Sequence, residues 1–120
     1  MEWRVEKNKN LALFYLQGDI DRREDTQILK NVIRQCLDEK IIFFGFNLSQ
    51  VSYFDSGAVN LFHFCHKQIV PFNGKIGFIG FNYHLTESMK LIGLQAIGTF
   101  YISDEDFVSE VKAKEKSAVH

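Results

Sequence analysis

Residues 41–57 read IIFFGFNLSQVSYFDSG, and this stretch decides the fold. Its first part is a continuous apolar run, IIFFGF, which is typical of a strand buried on both faces of a sheet. The polar segment over 49–55 predicts a loop, and a helix is expected over about 57–70. Asp55 or Ser56 can cap that helix, because a side-chain oxygen at a helix start accepts a free backbone N–H. A buried strand that leads through a loop into a helix indicates an α/β domain.

The residues before this stretch predict two strands and a helix. Alternating polarity over 2–7 indicates an edge strand, and the polar residues 8–10 turn the chain back. A second strand is expected over 11–16, and Gly18 is expected to stop it from continuing. An amphipathic helix is expected over about 25–37, because apolar residues recur there on one face. That apolar stripe comprises Ile28, Leu29, Val32, Ile33 and Cys36.

The residues after the stretch predict two more strands and two more helices. The strands are expected over 75–81 and 97–102. A short helix over 83–92 should end at Gly93, since glycine readily takes the left-handed conformation that closes a helix. The carboxylates at 104–106 favour the start of a last helix, because negative charge is stabilised there.

The order of these elements predicts one α/β domain. We expect a mixed, mostly parallel sheet of about five strands with about four helices. The domain should cover residues 1–113, and residues 114–120 should form a frayed C-terminal tail.

Composition and charge exclude several classes of protein. The chain has 120 residues, 46% of them hydrophobic, which suits one domain with a single core. A formal net charge of −1 argues against a nucleic-acid binder, and no apolar run is long enough for direct membrane insertion. The N-terminus has no secretory signal pattern, and Cys36 and Cys65 lack metal-ligand spacing, which suits reduced thiols. We therefore expect a cytoplasmic protein.

Three side chains of the predicted 57–70 helix look like metal ligands: His63, Cys65 and His66. At about 100° per residue, Cys65 lies on the apolar face and His63 points well away from it, so the three cannot converge on one ion. Cys65 is therefore expected in the core. No Ser-His-Asp, Cys-His or phosphate-loop pattern is readable, so we predict neither a catalytic site nor a cofactor.

The outward face of the same helix carries Asn60, His63 and Lys67, with Phe64 beside them. An exposed Phe is usually ordinary unburied apolar surface. Because Phe64 follows the Ser56 segment, it is also a candidate docking anchor of the aromatic kind that dominates interfaces.

The segment 47–57, NLSQVSYFDSG, resembles the NLSxVxYxDSxG signature of the STAS family, the anti-sigma factor antagonist domains. GDID at 18–21 resembles the family's turn before its first helix. GKIGF at 74–78 resembles its glycine-led fourth strand, and MKLIGL at 89–94 resembles the end of its following helix. The resemblance covers roughly residues 10–110 and implies the STAS fold.

The resemblance also implies a function without catalysis. Such antagonists bind a serine-kinase anti-sigma factor of the GHKL type, or a related switch kinase, and phosphorylation at the helix start turns that binding off. The added charge of about −1.5 to −2 disfavours an acidic partner face. In this sequence the predicted partner-binding residues are Asp21, Asp55, Ser56, Gly57, Asn60 and Phe64.

The sequence departs from the family pattern at the phosphoacceptor. The common motif is Asp-Ser-Ser/Thr-Gly, and its second hydroxyl residue corresponds to Gly57 here. Gly57 has no hydroxyl, so either the switch is lost or Ser56 serves instead, as the hydroxyl after the Asp does in some stressosome-type members. An alternative reading is a STAS subunit that binds the ATPase of a membrane lipid ABC transporter, where phosphorylation is not required. A ligand-binding or catalytic domain has no positive support in the sequence.

Overall fold

The computed structural model describes residues 1–80 and 93–118, with side chains as far as residue 114. Within these residues five strands form one sheet: β1 (Glu2–Asn8), β2 (Leu11–Ile20), β3 (Phe43–Phe54), β4 (Lys75–Ile79) and β5 (Thr99–Tyr101). They lie side by side in chain order. β1 runs antiparallel to β2, and every other neighbouring pair is parallel. The predicted mixed, mostly parallel sheet is confirmed.

Three α-helices lie within the described residues: α1 (Arg23–Asp38), α2 (Ser56–Ile69) and α3 (Asp104–Ala118). The sequence predicts about four, and the one expected over 83–92 lies outside the described residues. α2 passes into a single 3-10 turn, Val70–Phe72, whose Pro71 stands at the expected stop. α3 begins at the predicted carboxylates and continues past residue 113, where the sequence predicts a frayed tail.

The predicted loop over 49–55 is wrong, because β3 continues to Phe54. The neighbouring β2 also runs past Gly18 to Ile20, so the two strands satisfy each other's backbone groups over this length. Gly18 has a φ of +91°, and register shifts around it absorb the irregularity instead of ending the strand. β4 and β5 stop sooner than predicted, at Ile79 and Tyr101.

One face of the sheet packs against α1 and α2. The buried stripe of α1 runs through Thr26, Leu29, Ile33 and Cys36, so Ile28 lies past its edge and is 44% exposed, contrary to prediction. Cys65 of α2 is fully buried, as predicted. A series of touching rings fills the centre of this core, from Phe14 through Phe46 and Phe62 to Phe78.

The opposite face of the sheet packs against α3. The ring of Phe107 lies over Gly45 of β3 and Gly77 of β4, where a Cβ atom at either glycine would overlap it. These two strand glycines therefore create the slot that lets α3 approach the sheet. With helices on both sides, β3 is buried on both faces from Phe43 to Phe46, as predicted, although the strand begins two residues later than the apolar run.

Candidate functional site

The site begins at the junction of β3 and α2. Asp55 is the N-cap of α2, and its Oδ1 accepts hydrogen bonds from the backbone N–H of Gly57 at 2.8 Å and of Ala58 at 3.3 Å. The Asp55 backbone N–H donates to the carbonyl of Ile20 at 3.1 Å, which ties the junction to the end of β2. Of the two N-cap candidates that the sequence predicts, Asp55 is therefore the cap, and Ser56 is the first residue of α2.

Ser56 is exposed, and among the described residues its hydroxyl takes part in no side-chain hydrogen bond. The side chain is therefore accessible and uncommitted. Asp21 is also exposed and directly follows Ile20, whose carbonyl binds the junction, so the β2 end and the α2 start form one surface. Asn60 is exposed one turn further along α2. The structure brings together these predicted residues.

The backbone conformation at position 57 does not require glycine, because the φ angle there is not in the left-handed region. A Cβ atom there would lie 3.0 Å from Asp55 Oδ1 and 3.9 Å from Thr26 Cγ2. The first distance is tight, so a larger residue needs a small shift of the capping carboxylate. Position 57 can therefore accept a hydroxyl residue at low cost.

Phe64 differs from its predicted position, because it is half-buried and not an exposed anchor. Two cations of α1 lie over its ring, with Lys30 Nζ at 5.6 Å and Arg34 Cζ at 5.1 Å from the centroid. A helical wheel of α2 alone cannot show this cover, since it comes from another helix. Phe64 lies two turns from Ser56 and does not join the Ser56 surface as an exposed ring.

Tyr53 is a surface residue that the sequence reading missed. Its side chain is 55% exposed near the end of β3, two residues before the Asp55 cap. Tyr53 falls in the predicted loop over 49–55, and a residue in a loop cannot be assigned to one face of a sheet. Large exposed aromatics are enriched in protein interfaces, so Tyr53 belongs with the candidate site.

No three His, Cys, Asp or Glu side chains of the described residues lie close enough to hold a metal ion. Burial raises the pKa of the Cys65 thiol, which keeps it protonated and a poor ligand. His63 lies half-buried on a different side of α2. The chemistry of this surface is therefore that of a displayed hydroxyl beside carboxylates.

A family model of the STAS domain matches residues 2–106. The chain belongs to the STAS domain family. No curated protein matches it significantly. None of the described helices of this STAS domain is long and apolar enough to cross a membrane.

Solved structures of low sequence identity share the fold of this STAS domain. Phosphorylated SpoIIAA, a cell fate determinant of Bacillus, is 14% identical with a TM-score of 0.75, over 92% of this chain and 99% of that one. An anti-sigma factor antagonist from Mycobacterium paratuberculosis is 16% identical with a TM-score of 0.78, over 92% and 93%. The STAS domain of a SulP transporter from Vibrio cholerae is 15% identical with a TM-score of 0.73, over 93% and 88%. At these identities the likeness shows the fold.

The first half of the motif in this STAS domain has a structural task on the opposite face of the sheet. Asn47 Nδ2 donates to Asp104 Oδ1 at 2.8 Å, and Asn47 Oδ1 accepts from the Ser49 hydroxyl at 2.7 Å. The Tyr15 hydroxyl donates to Asp104 Oδ2 at 2.8 Å. Desolvation first, and then the Asp104 carboxylate, raise the pKa of Tyr15 to about 12. The motif therefore joins two tasks: its start holds α3, and its end displays Ser56.

Proposed function

We propose that this STAS domain is a non-enzymatic anti-sigma factor antagonist, a partner-switching regulator that binds a serine-kinase anti-sigma factor of the GHKL type or a related switch kinase. The observation that carries the proposal is the exposed, uncommitted Ser56 hydroxyl at the first residue of α2. Asp21, Asn60 and Tyr53 are exposed around it and supply a docking surface. Such contact needs a cytoplasmic location, where the kinase and ATP are present.

Ser56 is the phosphoacceptor in this proposal. The Ser56 oxygen attacks the γ-phosphorus of ATP, the hydroxyl proton leaves to solvent, and ADP is released. The backbone N–H groups of Gly57 and Ala58 already donate to the Asp55 carboxylate, so they are not free to bind the new phosphate. Because a second anion cannot share those donors cheaply, the phosphate points outward into the docking surface. It then adds about −1.5 to −2 charges at the contact without refolding the domain.

The test is phosphorylation by the cognate kinase. The purified chain is incubated with that kinase and ATP, and intact mass is measured. We expect one added phosphate, lost in Ser56→Ala and retained in the matched control Ser52→Ala, whose side chain is also exposed nearby. A phosphate that persists in Ser56→Ala would contradict the assignment.

A second candidate function is favoured by Gly57. This is a STAS subunit that binds the ATPase of a membrane lipid ABC transporter without phosphorylation. The usual phosphoacceptor position carries no hydroxyl, and such a subunit has no need of one. A pull-down from the native cell separates the two proposals, because one recovers a GHKL-type kinase and the other a transporter ATPase.

A further inference from the structure

A basic seam lies between α1 and α2 on the outer side of the domain. We define it by four side chains: Arg23, Lys30 and Arg34 of α1 and Lys67 of α2. The three α1 residues fall on one stripe, at spacings of seven and four residues, and Lys30 and Arg34 reach across to Phe64 of α2. Over the length from Arg23 to Arg34 this stripe extends about 16 Å.

The seam contains no carboxylate from α2, because α2 has no Asp or Glu in its sequence. The exposed carboxylates of α1 are Glu24, which lies beside Arg23 but further round the helix, and Asp38, which lies one turn beyond Arg34 at the end of the same stripe. None of the ion pairs found among the described residues uses a seam cation. A chain with a formal net charge of −1 thus concentrates unneutralised positive charge on one surface.

Two of the four seam cations, Lys30 and Arg34, are held in place by uncharged groups. The Phe64 ring positions both Lys30 and Arg34, although like charges four residues apart on a helix repel. Arg34 Nη1 also donates to Asn31 Oδ1 at 3.3 Å, and Gln27 Nε2 donates to the same oxygen at 3.3 Å. Since Asn31 is neutral, Arg34 keeps its charge and most of its donors for a partner. Positioned donors lose less entropy on binding than free ones.

We propose that the basic seam binds an acidic segment of the switching partner, an inference that rests on the proposed function. The guanidinium of Arg34 and the ammonium of Lys30 match carboxylates in charge and in donor geometry. The chain's pI of about 6.4 and its balanced charge favour a protein partner over a nucleic acid, which usually needs a strongly basic domain.

The seam and Ser56 are physically connected. The exposed stripe of α2 leads from Ser56 through Asn60 to Lys67, and Thr26 of α1 lies beside the α2 start. A phosphate on Ser56 would add about −1.5 to −2 charges at the end of the α2 stripe that leads to the seam. Phosphorylation would therefore weaken the binding of an acidic segment at the Ser56 end, while salt screens its effect on Lys67, which lies about 16 Å further along α2.

The experiment uses a fluorescein-labelled synthetic helical peptide rich in Glu and Leu as the probe. Fluorescence anisotropy is measured with the full chain, with Lys30→Gln/Arg34→Gln, and with the control Lys112→Gln/Lys114→Gln, which removes two exposed charges from α3 on the other face. We expect the seam variant to weaken binding about fivefold to tenfold and the control to change it less than twofold. Added salt should weaken the wild-type complex.

Several results would overturn the inference. These are equal losses in both variants, equal binding of a probe with Gln in place of Glu, and tighter binding of a DNA duplex or of phosphatidylglycerol vesicles than of the acidic peptide. Circular dichroism is used to check that the variants are folded. Failure of the proposed function gives a different result, because no kinase is then captured and no phosphate is added to Ser56. If only the inference about the seam fails, the kinase is still captured, and its capture does not depend on Lys30 and Arg34.

Discussion

Asn47 and Asp104 hold the last helix against the sheet, with Asn47 Nδ2 donating to Asp104 Oδ1 at 2.8 Å across 57 positions of the chain. The same motif therefore acts on both faces of the sheet. Asn47 and Ser49 lie on the α3 face, while Leu48 between them is buried against α1 and α2. This division predicts that the two ends of the motif can be disturbed separately.

Asn47→Ala should destabilise the fold and leave the Ser56 surface intact. It removes a part-buried hydrogen bond to a carboxylate, which costs about 1–3 kcal/mol of unfolding free energy. Urea denaturation measures the loss, with the exposed Gln50→Ala as control. An unchanged denaturation midpoint would show that the amide does not anchor α3.

Asp55→Ala should lower stability through the helix cap. The carboxylate accepts two backbone N–H bonds, and loss of such a cap costs about 1 kcal/mol. Asp55→Asn keeps an acceptor and should recover most of this stability, so the pair separates capping from charge. If the Asn and Ala variants unfold at the same urea concentration, the cap is not the source of the effect.

Gly77→Ala should displace α3, because the new Cβ overlaps the Phe107 ring. Overpacking of this kind costs about 1–3 kcal/mol. Phe107→Leu in the same chain should relieve part of that cost, and a double-mutant cycle by urea denaturation measures the coupling. Additive effects of the two changes would mean that the glycine slot does not set the packing of Phe107.

Gly57→Ser should fold and offer the family's second hydroxyl. Its Cβ lies 3.0 Å from Asp55 Oδ1, which calls for only a small shift, and the backbone there suits any residue. In a Ser56→Ala background we expect the kinase to add phosphate at position 57. Intact mass and peptide mapping check the site, and Gly57→Ala is the control without a hydroxyl.

The free energy of unfolding should fall between about pH 10 and pH 12, because Tyr15 loses its proton over this range. Its folded-state pKa is raised to about 12, above the usual value near 10, so the unfolded chain loses the phenolic proton first. The stabilisation is complete below the lower value and lost as the pH rises through the higher one. Thermal unfolding of Tyr15→Phe should show a shallower decline than wild type over this window. Equal slopes would mean that another group is responsible.

The pattern of apolar residues predicted much of the fold, because a strand or helix that is buried on one or both faces carries apolar residues at a regular spacing in the sequence. The run at 41–46 indicated a strand buried on both faces, and the stripe of α1 was found apart from the misplaced Ile28. The polar part of β3 was misread as a loop, since its pairing with β2 depends on residues more than 30 positions away. Local polarity cannot report such a partner.

By itself the sequence determined the order of the described strands and helices, the family motif and a helix start close to Asp55, Ser56 and Gly57, because these depend on neighbouring residues and their spacing. Only the tertiary structure decided that Asn47 holds α3 and that Lys30 and Arg34 cover Phe64. Those contacts join side chains from different elements. Their distances follow from how helices pack on the sheet, and no local periodicity encodes them.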